Sequence, residues 1–153
     1  FFALIGMIYG RTHTRDITKL GGLLKVMPFI SVIYVIAGMA SLGLPGFSGF
    51  VAEMNIFVGA FQHEEMFYRV ATVISVSAIV VTAVYILRVL GIMLMGEVKN
   101  EEYLHLPKAT WFEITGILLL LIPMLGMGVA PLWLSDMTME SLEPFIQGVL
   151  NHL

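Results

Sequence analysis

The sequence predicts an all-α membrane protein with one discontinuous helix, and three observations support this class. Hydrophobic residues make up 58% of the 153 residues and charged residues only 12%, whereas soluble domains carry roughly 25% charged residues. Two apolar runs reach the roughly 20 residues that a helix needs to cross a bilayer. A third apolar run is too long for one straight span and is interrupted by Pro and Gly.

Composition and motifs exclude several other classes of protein. The net charge of −3 is unlike that of a basic nucleic-acid binder. The absence of Cys excludes a disulfide framework, a thiolate metal site and a cysteine nucleophile. The four His are isolated from one another, and no phosphate-binding loop or hydrolase triad is present. We therefore expect no metal and no cofactor in this chain.

The chain divides into six segments in order. We expect the end of a truncated transmembrane helix (1–9), a basic cytoplasmic loop (10–26), a broken transmembrane helix (27–61), two unbroken transmembrane helices (70–95 and 111–134) and an amphipathic C-terminal helix (141–153). The first segment is apolar but too short to span. The last places its apolar residues on one helical face: Leu142, Phe145, Ile146, Val149, Leu150 and Leu153.

The segment 27–61 needs a break because a straight helix of this length would run about 52 Å, well beyond the hydrocarbon core. Pro45, Gly46 and Gly49 interrupt it near its middle, and Pro disfavours helix at the residue before it. Ser48 is a good N-cap for a helix that restarts there. The pattern allows either two short spans joined by a hairpin or one span broken within the membrane.

The positions of the basic residues favour the broken span. Residues 10–26 hold Arg11, Arg15, Lys19 and Lys25, and residues 96–110 hold Lys99 and Lys108. One broken span followed by an unbroken span places both stretches on the same side of the membrane, which the positive-inside rule makes the cytoplasmic side. Two separate spans would place them on opposite sides.

Glu53 is the strongest candidate for a functional residue. It stands alone within an uncharged stretch, a little over one turn after the predicted break. An ionised side chain at mid-membrane costs roughly 2.5–3.5 kcal/mol on insertion scales, and intramembrane carboxylates are functional by default. Glu53 is therefore a candidate proton relay. The alternative is a protonated Glu53 that only forms a hydrogen bond to a neighbouring helix.

Other polar residues have a weaker claim to function. Arg88 lies near the end of its span and is explained by snorkelling to headgroups, and Lys25 is explained as an interface anchor. Ser48 and Asn55 could hold water or join helices. His13 lies in a basic loop and is explained by solvation. These five residues are possible supporting groups for Glu53.

Four motifs carry a resemblance to a known family. They are residues 11–16 (RTHTRD), 21–23 (GGL), 40–46 (ASLGLPG) and 49–53 (GFVAE). In order and spacing they resemble the chain M type antiporter-like subunit of proton-pumping NADH–quinone oxidoreductase, respiratory complex I. The resemblance implies the C-terminal part of an antiporter-like transmembrane helix bundle. It also implies that Glu53 is the carboxylate of the family's proton path on its broken helix.

The same resemblance implies a function and partners. This chain would be a translocase subunit that carries proton transport and no redox chemistry. NADH, flavin, iron–sulfur clusters and quinone would belong to partner subunits. Its neighbours would be adjacent antiporter-like subunits and the lipid bilayer, without nucleic acid. We expect a multi-pass protein of the plasma (inner) membrane of a prokaryote.

Two alternatives stay open. The chain could belong to a related multisubunit cation/proton antiporter or membrane-bound hydrogenase, which the sequence does not separate from complex I. It could also be a structural membrane module that only packs partners. The structural module predicts that Glu53 faces headgroups or is sealed from water.

Overall fold

The structure, a computed structural model, describes the backbone of residues 1–150 and their side chains except those of residues 134 and 145–150. Every regular element in this range is helical, as predicted. The helices are α1 (Phe2–Thr12), α2 (Leu23–Val26), α3 (Pro28–Ser41), α4 (Ser48–Phe61), α5 (Met66–Leu94), α6 (Trp111–Val129) and α7 (Pro131–Leu150), with a 3-10 helix over Glu101–His105.

Two helices are long and apolar enough to cross a membrane, judged by length and composition. They are α5, with 29 residues, and α6, with 19 residues. Helices α3 and α4 are apolar but have only 14 residues each. At 1.5 Å per residue each is about 21 Å long, shorter than a hydrocarbon core of about 30 Å.

Helices α3 and α4 lie one after the other along α5. Gly38, near the end of α3, packs against Leu90 in the last part of α5. Phe61, at the end of α4, lines the same groove as Thr72 in the first part of α5. A hairpin would have brought both helices to the same part of α5. The two short helices therefore form one discontinuous helix antiparallel to α5.

The two basic stretches meet at one end of the bundle. The backbone N–H of Gly22 donates to the Met95 carbonyl at 3.1 Å, and the Lys99 ammonium donates to the Thr18 carbonyl at 2.5 Å. A broken span requires this arrangement, because only an even number of membrane crossings returns the chain to the same side. We call this part of the molecule the basic-loop end.

Most of the buried apolar residues lie towards the basic-loop end. In α1, Leu4 and Ile8 share the buried face, and in α5 four of the five buried residues fall in the last third. The core consists of Leu4, Ile8, Leu20, Leu23, Met27, Ile30, Ile33, Tyr34, Leu42, Ile86, Leu90, Met93, Leu94, Tyr103 and Ile117. Helix α4 contributes no fully buried residue to it.

The C-terminal helices differ from the predicted boundaries. Helix α6 ends at Val129 instead of residue 134, and α7 begins at Pro131, so it includes the start of the predicted helix 141–153. The reason is Pro131, which lacks an N–H and disfavours helical backbone at Ala130; Ala130 has φ −126° and ψ 67°. Residues 151–153 and the side chains of 145–150 lie outside the described residues, and most of the predicted apolar face falls on them.

Smaller differences occur at the other ends. Helix α5 begins at Met66, four residues before the predicted start at 70, and the predicted loop 10–26 contains the one-turn helix α2. Gly22 precedes α2 with φ 65°, and a Cβ there would lie 2.8 Å from the Val98 backbone nitrogen. The close approach of the two loops therefore shapes this segment, and a contact between distant segments is not visible in local sequence.

Candidate functional site

Helix α3 ends in a Schellman motif that closes its last turn. Gly43 has φ +64°, a left-handed conformation that favours glycine. Its N–H donates to the Ala40 carbonyl at 3.1 Å, and the Leu44 N–H donates to the Met39 carbonyl at 3.4 Å. These two bonds satisfy carbonyls that a helix end otherwise leaves without a partner.

A type II turn then connects the two helices. Pro45 and Gly46 occupy its central positions, Gly46 has φ +98°, and the Phe47 N–H donates to the Leu44 carbonyl at 3.2 Å. The prediction that Ser48 is the N-cap of α4 is wrong. Phe47, with extended backbone, takes the cap position because the turn ends on it, and Ser48 is the first helical residue.

The carboxyl group of Glu53 lies against the end of α3. Glu53 is half-buried and is carried by α4. A Cβ built on Gly43 would lie 2.8 Å from its carboxyl carbon and closer still to one of its oxygens. Only glycine leaves this space free. Glu53 on α4 thus contacts Gly43, the glycine of the Schellman motif that ends α3.

Glu53 also lines a groove of about 630 Å³ between α4 and α5. Most of the groove wall is apolar, and its other polar side chains are Gln62, Thr72 and Ser77. The Thr72 and Ser77 hydroxyls donate to carbonyls of their own helix at 2.7 and 2.8 Å. Each hydroxyl oxygen can still accept a hydrogen bond. The groove therefore offers polar contacts away from the basic-loop end.

Among the residues whose side chains the structure describes, none makes a hydrogen bond or an ion pair with the Glu53 carboxylate. Ser48 and Asn55 lie on the same helix but five residues before it and two residues after it, which places them on other faces. Asn55 is exposed and Ser48 is half-buried. Their predicted support for Glu53 stays a prediction.

Arg88 and Lys25 lie away from the groove that Glu53 lines. Both side chains are exposed, Arg88 on α5 and Lys25 on the short helix α2. In the described part of the chain neither side chain makes a hydrogen bond or an ion pair. The interface location of both residues stays a prediction.

His13 ends α1 in a left-handed conformation. It has φ 50°, and its backbone N–H donates to the Tyr9 carbonyl at 2.8 Å. Its ring is exposed and stands edge-on to Tyr9. Its position as the C-cap of α1 accounts for the left-handed backbone of His13. Among the described residues, no group of three or more His, Asp or Glu could hold a metal ion.

Sequence reasoning missed an ion pair at the basic-loop end. The Arg11 guanidinium donates to both Glu113 oxygens at 2.9 and 2.6 Å, and its side chain is only 7% exposed. It also donates to the carbonyls of Met7, Pro107 and Lys108 at 3.0, 2.9 and 3.2 Å. Every guanidinium nitrogen is therefore used, and the end of α1 is fixed to the start of α6.

Part of this pair had a signal in the sequence. Glu113 also accepts from the Thr110 N–H at 2.7 Å, which belongs to a capping box at the start of α6, and from the Thr110 hydroxyl at 2.9 Å. Thr followed three residues later by Glu before an apolar run is the signature of that box. The partnership with Arg11, 102 residues away, has no such signature.

Two glycines outside the turn also hold the break together. A Cβ on Gly49 would lie 3.2 Å from the Ala40 carbonyl oxygen, so the start of α4 approaches the end of α3 closely. Gly128, near the end of α6, lies directly against the backbone of Gly46 and Phe47. Gly49 was predicted as part of the break, whereas Gly128 was missed because it lies on a distant helix.

The fold and the site define a class of protein. It is a helical membrane protein whose discontinuous helix carries a carboxylate beside the break, and discontinuous helices form the substrate and ion sites of many secondary transporters. Comparison with known families identifies it further: the chain belongs to the NADH:quinone oxidoreductase/Mrp antiporter transmembrane family, whose profile matches residues 1–82. The match includes α1 to α4 and Glu53.

Several curated proteins are similar over most of the chain. NADH-quinone oxidoreductase subunit M of Rickettsia felis is 33% identical over 130 residues, which cover 85% of this chain and 26% of that protein. NAD(P)H-quinone oxidoreductase chain 4 of Acaryochloris marina is 38% identical over 135 residues, covering 85% and 25%. The NAD(P)H-quinone oxidoreductase chain named 4 3 of Trichormus variabilis is 37% identical over 137 residues, which cover 85% of this chain and 25% of that protein. The chain spans about a quarter of the length of these relatives.

Proposed function

We propose that this chain forms part of a proton-translocating membrane subunit of an NADH–quinone oxidoreductase, in which Glu53 carries the proton. The names of the similar proteins support the complex, and the placement of Glu53 supports the residue. The observation that carries the proposal is the contact of the Glu53 carboxyl with Gly43 at the helix break, on the wall of an open groove.

The proposed mechanism uses the absence of a fixed partner. Glu53 takes a proton from the interior of the membrane subunit and passes it towards the side opposite the basic-loop end. Electron transfer in partner subunits, which hold the NADH, flavin, iron–sulfur and quinone sites, drives the cycle. In this mechanism, the electrostatic changes that accompany electron transfer drive the uptake and release of the proton at Glu53.

The test is Glu53→Gln in the complete, assembled complex. We expect assembly and uncoupled NADH oxidation to persist and proton translocation to fall sharply, because Gln cannot bind and release the proton. Glu53→Asp should be milder, since it keeps a titratable group. Glu64→Gln, in the exposed loop after α4, is the matched control and should translocate normally. Undiminished pumping by Glu53→Gln would rule out the proposed role.

A second candidate is a subunit of a multisubunit cation/proton antiporter. The description of the matching family, which names the Mrp antiporter beside the quinone oxidoreductase, supports it. A membrane-bound hydrogenase subunit is a further variant of this alternative. Purification of the native complex distinguishes them, because its peripheral subunits oxidise NADH, oxidise or evolve hydrogen, or are absent.

A purely structural module is less well supported. It predicted that Glu53 would be sealed from water or would face headgroups. The carboxylate instead stands in the middle of a discontinuous helix and lines a groove. If no substitution at Glu53 changes proton translocation, a structural module becomes the better supported function.

A further inference from the structure

Helix α6 connects the two parts of the molecule that hold its most notable charged groups. At its first turn, Glu113 is bound by the buried guanidinium of Arg11. At its last turn, Gly128 lies against the turn that breaks the discontinuous helix. The helix is therefore fixed near both ends, once by an ion pair and once by backbone contact.

The contact at Gly128 leaves no room for a side chain. A Cβ there would lie 2.5 Å from the carbonyl carbons of both Gly46 and Phe47, and closer to the Gly46 oxygen. Real Cβ atoms do not come this near to backbone atoms, so the turn or α6 would have to move. The other two glycines of α6, Gly116 and Gly126, face open space, with nothing within 4 Å of an added Cβ.

The turn that Gly128 contacts determines where α4 begins. Phe47 is the N-cap of α4 and Ser48 its first residue, and Glu53 follows on the same helix. The Glu53 carboxyl in turn fits against Gly43 on the other side of the turn. A displacement of Gly46 and Phe47 would therefore be passed to the start of α4 and would separate the carboxyl from Gly43.

We propose that Gly128 is a positioning residue for Glu53, and that α6, fixed by Arg11 and Glu113 at its other end, acts as a strut that holds the helix break in place. The placement of Glu53 follows from geometry alone. The expected effect on transport rests on the proposed function of Glu53, so the two are tested by separate measurements.

The first measurement is the position of the carboxyl. A hydrophobic carbodiimide reacts with protonated carboxyl groups in apolar surroundings, and mass spectrometry measures the labelling of Glu53 in the complete complex. Gly128→Ala should raise the labelling rate severalfold, because the carboxyl leaves Gly43 for the open groove. Gly126→Ala, with the same change of residue two positions away, should label like the unaltered complex. Equal labelling of the two variants would overturn the proposal.

The second measurement is the initial rate of proton translocation driven by NADH oxidation. Gly128→Ala should lower it about tenfold, the scale expected when a reacting group is misplaced by a fraction of an ångström, while Gly126→Ala should not. If Glu53→Gln pumps normally, the proposed function fails but the labelling still decides whether Gly128 positions Glu53. If Gly128→Ala changes pumping without changing labelling, the positioning role is wrong.

A third variant keeps the test decisive if Gly128→Ala does not assemble. Glu113→Gln weakens the opposite end of α6 without adding volume to the break. As the strut loosens, the labelling of Glu53 should rise relative to the Glu64→Gln control. Unchanged labelling in the assembled Glu113→Gln complex would contradict the proposal that α6 holds the helix break in place.

Discussion

The charged groups at the basic-loop end and at the helix break differ in their hydrogen-bond partners. At the basic-loop end, the Arg11 side chain is only 7% exposed, and every guanidinium nitrogen donates to Glu113 or to a carbonyl. At the break, the Glu53 carboxylate has no hydrogen-bond partner among the described side chains and rests against a glycine. One region is held by charge-assisted hydrogen bonds, and the other by close backbone packing.

This difference separates a structural charge from a candidate for transport. A fully paired ion cannot change its protonation state without leaving its partners unpaired, which is costly inside a protein. A carboxylate without fixed partners can take up or release a proton with little rearrangement. The partners of a charge within a membrane protein are therefore as informative as its depth.

The largest expected effect is on stability, at the basic-loop end. Arg11→Ala would remove the donor to three backbone carbonyls and leave Glu113 with only its hydrogen bonds from Thr110, which should destabilise the subunit by about 2–3 kcal/mol. Thermal unfolding of the purified complex in detergent measures this. Arg11→Lys keeps the charge but not the bidentate geometry. Its melting temperature should lie between those of the Arg11→Ala variant and the unaltered complex. A melting temperature unchanged by Arg11→Ala would show that the ion pair does not hold α1 to α6.

The second prediction compares two glycines of the break. Gly43→Ala and Gly46→Ala both place a side chain on left-handed backbone, at a cost of roughly 1–2 kcal/mol each. An added Cβ at Gly46 meets nothing within 4 Å, whereas at Gly43 it meets the Glu53 carboxyl. Both should lower thermal stability to a similar extent, but only Gly43→Ala should strongly reduce proton translocation. Equal transport by the two variants would mean that the contact with Gly43 has no functional role.

The smallest effect concerns the loop that follows α1. The Thr18 hydroxyl and backbone N–H donate to Asp16, and these hydrogen bonds hold the pKa of that carboxyl below its usual value. Since the folded pKa is depressed, the stabilisation is present above the unfolded pKa and is lost as the pH falls through the folded value.

Amide hydrogen exchange of residues 13–22 should detect this change. At neutral pH, Asp16→Asn should slightly speed exchange in the loop, and at acidic pH the variant and the unaltered chain should converge. The group is fully exposed, so the effect should be local and proton translocation should not change. A difference that grows as the pH falls would contradict the assigned cause.

Much of the fold followed from where charge is absent. The spacing of uncharged runs predicted α5 and α6, and Pro45 with its neighbouring glycines predicted the break. The end of α6 was misplaced by five residues because Pro131 was read as part of an apolar run, although its effect on Ala130 is local and predictable. Ser48 was misassigned as a cap because the length of the preceding turn is not specified by residue type.

The site was less accessible to sequence reasoning. The isolation of Glu53 made it conspicuous, but its contact with Gly43 depends on the angle between two short helices. Arg11 with Glu113 and Gly128 with Gly46 join segments that lie far apart in the chain. Such pairs are set by tertiary packing, which a single sequence does not encode in any local pattern.

The division of the discontinuous helix also has a consequence for membrane insertion. Neither α3 nor α4, at about 21 Å, is long enough to cross the hydrocarbon alone, and the non-helical turn between them is tolerated only where protein or a cavity shields it. Helix α5 covers both halves and is apolar enough to partition by itself. Stable integration of the broken helix therefore depends on packing against neighbouring helices, and α5 is one of them.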